Sequence, residues 1–99
     1  MLTNEKVLKA FRDYLARDPE FEVVRTSHGY TVLWWNTVGG GWLDARCCKT
    51  PEDLLDALLF SYGNYLEDRM IHSDRDLTET EKKEILDKKD AMRRKCEAE

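Results

Sequence analysis

Segment 50–71 constrains the fold more than any other part of this chain, because it carries a wide apolar stripe at helical spacing. Thr50 suits the N-cap of a helix and Pro51 suits its first position. So wide an apolar stripe must be buried against other elements, and we expect this helix to form the centre of the core. The stripe consists of Leu54, Leu55, Leu58, Leu59, Tyr62, Tyr65 and Leu66.

The half of the chain before this helix predicts a first helix and then three strands. Thr3 or Asn4 can cap the first helix, and Asp18-Pro19 ends it. His28-Gly29 is the predicted two-residue turn between the first two strands, and the glycine-rich segment 36–41 predicts a loop before the third. Alternating, β-branched and aromatic residues predict strands over 21–26, 30–35 and 42–48.

The chain after the central helix predicts a polar connector and a last helix. Thr78 and Glu81 have the spacing of a capping box, and the helix is predicted to run to about Cys96. Its apolar stripe is narrow, so we expect this helix to pack lightly or to project from the body. The stripe consists of Ile85, Met92 and Cys96.

These elements predict an α+β fold in the order α-β-β-β-α-α, with a three-stranded antiparallel sheet covered on one face by helices. A length of 99 residues suits one small domain over 1–99, with a core over 1–72 and a C-terminal helix over 77–97. No apolar run approaches the ~18 residues of a membrane span, and the N-terminus lacks the pattern of a signal peptide. Three cysteines without C-x-x-C spacing predict reduced thiols, and together these features predict a cytoplasmic protein.

The charge is unevenly distributed along the chain. Residues 1–49 hold 7 Lys/Arg and 6 Asp/Glu, whereas residues 50–99 hold 9 and 14. Nonspecific nucleic-acid binding is disfavoured, because phosphates would be repelled by the acidic half. The excess of carboxylates is either a solvated surface or the complement of a partner protein with a basic surface.

Motifs for catalysis, cofactors and metals are absent from the sequence. His28, Cys47, Cys48 and His72 lack the paired spacing of zinc ligands, and no local signature supports a Cys–His nucleophile. The three glycines at 39–41 do not precede a helix as phosphate-binding glycines do. We therefore expect no catalytic residues, no cofactor and no metal, and predict a non-enzymatic protein.

The third predicted strand suggests an aromatic surface. Strict alternation places one set of side chains of this strand toward the core and the second set on an open sheet face. One of the neighbouring residues Trp34 and Trp35 must lie on the same open face. Tryptophan and arginine on such a face are typical anchors for a protein partner, although they can also stack bases or simply be covered and stabilise the fold. The predicted core set is Leu43, Ala45 and Cys47, and the predicted open set is Trp42, Asp44, Arg46 and Cys48.

Phe60 forms a second aromatic candidate. Helical spacing places it on the side of the central helix away from the leucine stripe. Either the last helix packs Ile85 and Met92 onto Phe60 and Ile71, or Phe60 belongs to a partner-binding patch.

The element order over residues 3–71 is similar to that of double-stranded RNA-binding domains. Those domains have a lysine cluster where this chain has Thr50-Pro51-Glu52-Asp53, so we expect no RNA binding. The organisation of the whole chain resembles small phage-encoded anti-CRISPR proteins that inhibit Cas9, through YTVLWWN, a glycine-rich turn, WLDARCC and TPEDLLDALLFSYGNYLE. The resemblance implies a DNA mimic whose acidic groups are Glu67, Asp68, Asp74, Asp76, Glu79 and Glu81.

The functional prediction is a small acidic inhibitor, from a phage or mobile element, that blocks a nucleic-acid-binding enzyme by occupying its basic surface. Carboxylates can compete for the charge-assisted hydrogen bonds that such a surface makes to DNA. The alternative is a general protein-interaction module that uses the tryptophan-bearing sheet face, with Trp42, Arg46 and Phe60 as candidate contacts. A homodimer through the C-terminal helix is a further possibility.

Overall fold

The computed structural model describes residues 1–71 and 75–97. Within these residues the chain forms α1 (Asn4–Leu15), β1 (Phe21–Thr26), β2 (Gly29–Trp35), β3 (Trp42–Cys48), α2 (Pro51–Met70) and α3 (Glu79–Glu97). The predicted α+β fold and the order α-β-β-β-α-α are therefore confirmed.

The helix starts follow from capping residues in the sequence. The Thr3 hydroxyl accepts a hydrogen bond from Lys6 N at 3.1 Å, and the Thr50 hydroxyl accepts one from Asp53 N at 3.1 Å. At the start of α3, Glu81 N donates to the Thr78 hydroxyl while Thr78 N donates to the Glu81 carboxylate, which is the reciprocal pattern of a capping box. These contacts satisfy backbone N–H groups that have no partner inside a helix.

The sheet has the order β1-β2-β3, and both neighbouring pairs are antiparallel. The first hairpin differs from the prediction, because its two turn residues are Ser27 and His28, and Gly29 already pairs with Thr26. Gly29 has a φ of 117°, a backbone conformation that L side chains rarely adopt. Glycine is therefore favoured directly after the turn and not within it.

The core lies between the sheet and the helices, as the leucine stripe predicts. Leu54, Leu55, Leu58 and Leu59 of α2 are buried in one cluster with residues of α1, the sheet and α3. The sheet contributes Val32 and Cys48 to this cluster, and both lie on its helix-facing side. The other buried members of this cluster are Val7, Ala10, Phe11, Tyr14, Val32, Cys48, Ala57 and Cys96.

The packing of α3 is tighter than its narrow stripe suggests. This helix contacts both α1 and α2, and Cys96 near its end is fully buried in the core. Ile85 is also buried, and Met92 packs against the cluster. The helix was expected to pack lightly or to project, and these few apolar side chains dock it against α1 and α2.

Among the described helices, none combines the length with the apolar character that spanning a membrane requires.

Candidate functional site

A bulge in β3 decides which side chains of this strand face the helices. Trp34 pairs with Asp44 and Trp35 pairs with Trp42, so Leu43 is an extra residue with no partner on β2. The extra residue shifts the alternation by one, and Trp42 therefore shares a face with the odd-numbered residues that follow it. A bulge cannot be inferred from alternation alone, because the sequence pattern around it is still that of a strand.

This shift overturns the predicted assignment of β3 to core and open face. Cys48, predicted on the open face, is buried in the core, and Cys47, predicted in the core, is exposed. Leu43 and Ala45 are likewise exposed instead of buried. Arg46 is not on the open face with Trp42 but on the opposite, helix-facing side. Asp44, also predicted on the open face, lies on the helix side with Arg46. Among the residues of β3, Trp42 alone keeps its predicted exposed position on the open face.

Trp35 and Trp42 form an aromatic pair on the open sheet face. Their ring centroids are 4.9 Å apart with an interplanar angle of 74°, the edge-to-face arrangement that aromatic quadrupoles favour. Trp42 remains 52% exposed and Trp35 37% exposed, and no residue of this face belongs to the buried core cluster. The two neighbouring tryptophans of β2 therefore lie on opposite faces of the sheet, Trp35 on the open face and Trp34 on the helix side.

The loop between β2 and β3 fixes the position of this aromatic pair. The Asn36 side-chain oxygen accepts hydrogen bonds from Val38 N at 3.0 Å and Gly39 N at 3.1 Å, while Asn36 N donates to Gly41 O at 2.9 Å. Gly40 and Gly41 have φ values of 72° and 109°, in a region that L side chains rarely adopt and that favours glycine. The loop is thus a defined turn that delivers the chain into the bulge at Trp42.

Acidic residues line one side of the tryptophan pair. Asp18, Glu20 and Glu22 border a shallow depression of ≈ 380 Å³ that also includes Trp35 and Trp42. Asp18 is held by the Tyr14 hydroxyl at 2.6 Å and by Glu20 N at 2.9 Å, and Glu20 accepts a hydrogen bond from the Trp34 indole N–H at 3.3 Å.

Glu22 lies on the open face itself, because it pairs with Leu33 in the sheet register. Sequence reasoning did not single out these rim carboxylates, although the alternation in β1 already places Glu22 opposite Phe21 and Val23. The open face thus combines apolar aromatic surface with a negative rim.

A second aromatic surface lies on the helix side of the sheet. Trp34, Arg46 and Phe60 line a groove of ≈ 340 Å³ between the sheet and α2. Phe60 is 62% exposed, so α3 does not cover it, and the first of the two alternatives for this residue is wrong. Trp34 is less free, because it stacks on Phe21 with 5.9 Å between ring centroids. Arg46 has no carboxylate within ion-pair distance among residues 1–71 and 75–97.

The six carboxylates predicted to mimic DNA have unequal surroundings. Glu67 and Asp68 are exposed in the last turn of α2, and Asp76 and Glu79 are exposed at the start of α3. Asp74 lies outside the described residues. Glu81 differs from the others because it is engaged within the fold.

Glu81 holds the connector to α3. Arg75 donates to both of its carboxylate oxygens, at 2.8 and 2.9 Å, and to the carbonyl of Met70 at 3.0 Å. The hydrogen bonds from Arg75 and from Thr78 N lower the pKa of Glu81 from 4.5 to about 2. Since both oxygens accept hydrogen bonds within the chain, the geometry gives Glu81 a structural role at the start of α3.

A pH titration of unfolding tests this assignment. The lowered pKa means that ionised Glu81 stabilises the folded state fully above pH 4.5 and that this contribution is lost as the pH falls toward 2. We expect Glu81→Gln to be less stable than the unaltered chain at pH 7, and the difference to vanish between pH 4.5 and 2. Glu79→Gln is the control, since Glu79 is exposed in the same turn. A difference that persists unchanged at pH 2 would contradict the assignment.

The thiols and histidines do not assemble into a reactive site in the part of the chain that the structure describes. Burial raises the pKa of Cys48 and of Cys96, which keeps both as neutral thiols. Cys47 is exposed, and its thiol lies 3.3 Å from the carbonyl oxygen of His28. Within residues 1–71 and 75–97 no three potential metal ligands cluster together, and His72 lies outside these residues.

Comparison with protein families, curated proteins and solved structures finds no match to this chain.

Proposed function

We propose that this chain is a non-enzymatic protein-binding module whose partner docks on the open sheet face around Trp35 and Trp42. The observation that carries the proposal is the exposure of this edge-to-face tryptophan pair on a sheet face that contributes nothing to the core. Indole rings left in water at a fixed geometry lose little conformational entropy when a partner covers them.

The partner expected at this face presents an apolar patch beside lysine or arginine side chains. Its apolar part covers the indole rings, and its cations meet the negative rim at Glu20 and Glu22. Tryptophan is among the residues that most often carry the binding energy of an interface, and opposite charges on the rim speed the encounter and set the orientation. The partner is therefore a protein with a basic surface, in keeping with the acidic charge of this chain.

The cytoplasm is the proposed compartment of this binding protein. All three cysteines are free, and Cys47 is exposed. An exposed free thiol suits a reducing compartment, because an oxidising one would promote its pairing with other thiols.

Photo-crosslinking from defined positions tests the proposed face. A benzophenone amino acid at Leu43 samples the open face, and the same group at Leu86 samples an exposed position on α3. In lysate of the source cells, we expect position 43 to give one covalent adduct with a protein other than this chain, which is absent from position 86 and is suppressed by excess unaltered chain. Adducts of the same protein from both positions, or from position 86 alone, would contradict the proposal.

A second candidate function is inhibition of a nucleic-acid-binding enzyme through DNA mimicry, in the manner of an anti-CRISPR protein. It is favoured by the four exposed carboxylates at Glu67, Asp68, Asp76 and Glu79. The negative charge is concentrated in α2, which has five acidic residues and one arginine, whereas α3 has seven basic residues against six acidic ones. A basic groove would therefore engage the end of α2 and the start of α3 but not the rest of α3.

Charge reversal distinguishes this second candidate from the first. Asp68→Lys combined with Asp76→Lys should leave the melting temperature nearly unchanged, because both side chains are exposed. A DNA-mimic would lose its target through this change, would bind more weakly as salt rises from ~0.05 to ~0.5 M, and would displace DNA from the target. Glu52→Lys combined with Asp56→Lys, at the other end of α2, is the matched control. Equal binding by both double variants would eliminate the mimic.

A further inference from the structure

Strand β3 forms a free edge of the sheet. It is the last strand in the order β1-β2-β3, and within the described residues its backbone pairs only with β2. Every residue from Trp42 to Cys47 is exposed. Such an edge presents N–H and C=O groups that can add another strand. The Ala45 N–H donates to the Asp44 carboxylate at 2.8 Å, and the Asp44 side chain must release it when a strand is added.

The side chains of this edge are complementary to themselves. Asp44 and Arg46 lie on the same face of β3, on either side of Ala45. When two β3 strands pair antiparallel with Ala45 opposite Ala45, Asp44 of each copy lies opposite Arg46 of the other. We propose that two copies of this chain associate in this register through a two-fold axis at Ala45, which joins their sheets into one of six strands.

Other registers are disfavoured by the same two charges. A slip of each strand by one position places Asp44 opposite Asp44 or Arg46 opposite Arg46, and like charges directly opposite are destabilising. A two-fold axis perpendicular to the sheet also requires residues of the same face to lie opposite each other, which excludes the intermediate alignments. The register centred on Ala45 is the one that pairs both charges with their opposites.

Phe60 provides a second contribution at the same edge. It lines the helix-side groove together with Asp44 and Arg46, and it is one of the most exposed large apolar residues of the chain. The two-fold axis brings the grooves of the two copies together on the same side of the joined sheet, so that Phe60 loses contact with water. The Arg46 guanidinium, which has no ion-pair partner within the described residues, gains one in the same step.

Sedimentation equilibrium over a concentration series tests the proposal with paired charge variants. Asp44→Arg places two arginines opposite each other, and Arg46→Asp places two aspartates opposite each other, so we expect each variant alone to self-associate about tenfold or more weakly than the unaltered chain. An equimolar mixture of the two variants restores opposite charges at every position and should form a heterodimer. The double variant D44R/R46D should dimerise like the unaltered chain. Asp13→Arg, on the exposed side of α1, is the control and should not alter the association.

The outcomes separate the possible occupants of this edge. Recovery of the dimer in the mixture and in the double variant supports the register, and a melting curve for each variant verifies its fold. A native chain that is monomeric at every concentration overturns the proposal and leaves the edge to a strand of another protein. A dimer that is insensitive to both single variants overturns it equally, since the copies then meet elsewhere. Neither result affects the open-face proposal, because that proposal rests on the exposed indole rings of Trp35 and Trp42 and not on Asp44, Arg46 or Phe60.

Discussion

Leu58→Ala is expected to lower the free energy of unfolding by about 2–5 kcal/mol. Leu58 is 0% exposed at the centre of α2 and belongs to the cluster that joins all three helices to the sheet. Truncation removes its transfer free energy and leaves a cavity that the neighbours only partly fill. Because a domain of this size has a net stability of ~5–15 kcal/mol, the change removes a large share of it. Chemical denaturation followed by circular dichroism measures the effect.

Leu86→Ala is the matched control for this prediction. Leu86 is the same residue type in a helix, but it is 59% exposed on α3. Its replacement should change the free energy of unfolding by about 0.5 kcal/mol or less. Equal losses for the two variants would mean that the leucine stripe of α2 is not the centre of the core.

Trp42→Ala is expected to weaken binding of the partner about 30-fold or more while the fold survives. Trp42 is half exposed and lies outside the buried cluster, so its removal costs little core packing. In the complex, loss of the Trp42 indole leaves a cavity beside Trp35, where the partner would otherwise bury both rings. The partner that crosslinking identifies is purified separately, and titration calorimetry gives its dissociation constants for the Trp42→Ala variant and for the unaltered chain.

Trp34→Ala controls for the general loss of a tryptophan from this sheet. Trp34 neighbours Trp35 in the chain and is 40% exposed, but it faces the helix side and stacks on Phe21. Its replacement should leave the dissociation constant of the partner within about threefold of the value for the unaltered chain. Truncation of a residue that is not a hot spot of the interface usually costs less than ~1 kcal/mol of binding free energy. If Trp34→Ala weakens binding as much as Trp42→Ala, the partner does not use the open face.

Local signals in the sequence were sufficient to predict the elements of the fold. The Thr50 cap and the leucine stripe define α2, and the Thr78–Glu81 capping box marks the start of α3. These signals act within one or two turns of a helix, so they do not depend on tertiary contacts. The bounds of β1 and β3 follow in the same way from runs of β-branched and aromatic residues.

The faces of β3 were not predictable, because they depend on one inserted residue. A bulge at Leu43 moves Trp42 to the face of Ala45 and Cys47 and turns Arg46 toward the helices. The position of a bulge is set by pairing with β2, and the sequence of β3 does not contain that information. Glu81 shows the same limitation, since its pairing with Arg75 depends on how the connector folds back.

The indole N–H signals of the three tryptophans provide the most direct test of the open-face account. In a ¹⁵N-labelled chain, each of Trp34, Trp35 and Trp42 gives one such signal, and replacement of each residue in turn assigns it. When the purified partner is added, we expect the signals of Trp35 and Trp42 to shift or broaden together, and more strongly than that of Trp34, whose N–H donates to Glu20 of the rim. A shift of the Trp34 signal with Trp35 and Trp42 unchanged would place the partner on the helix side and contradict the account.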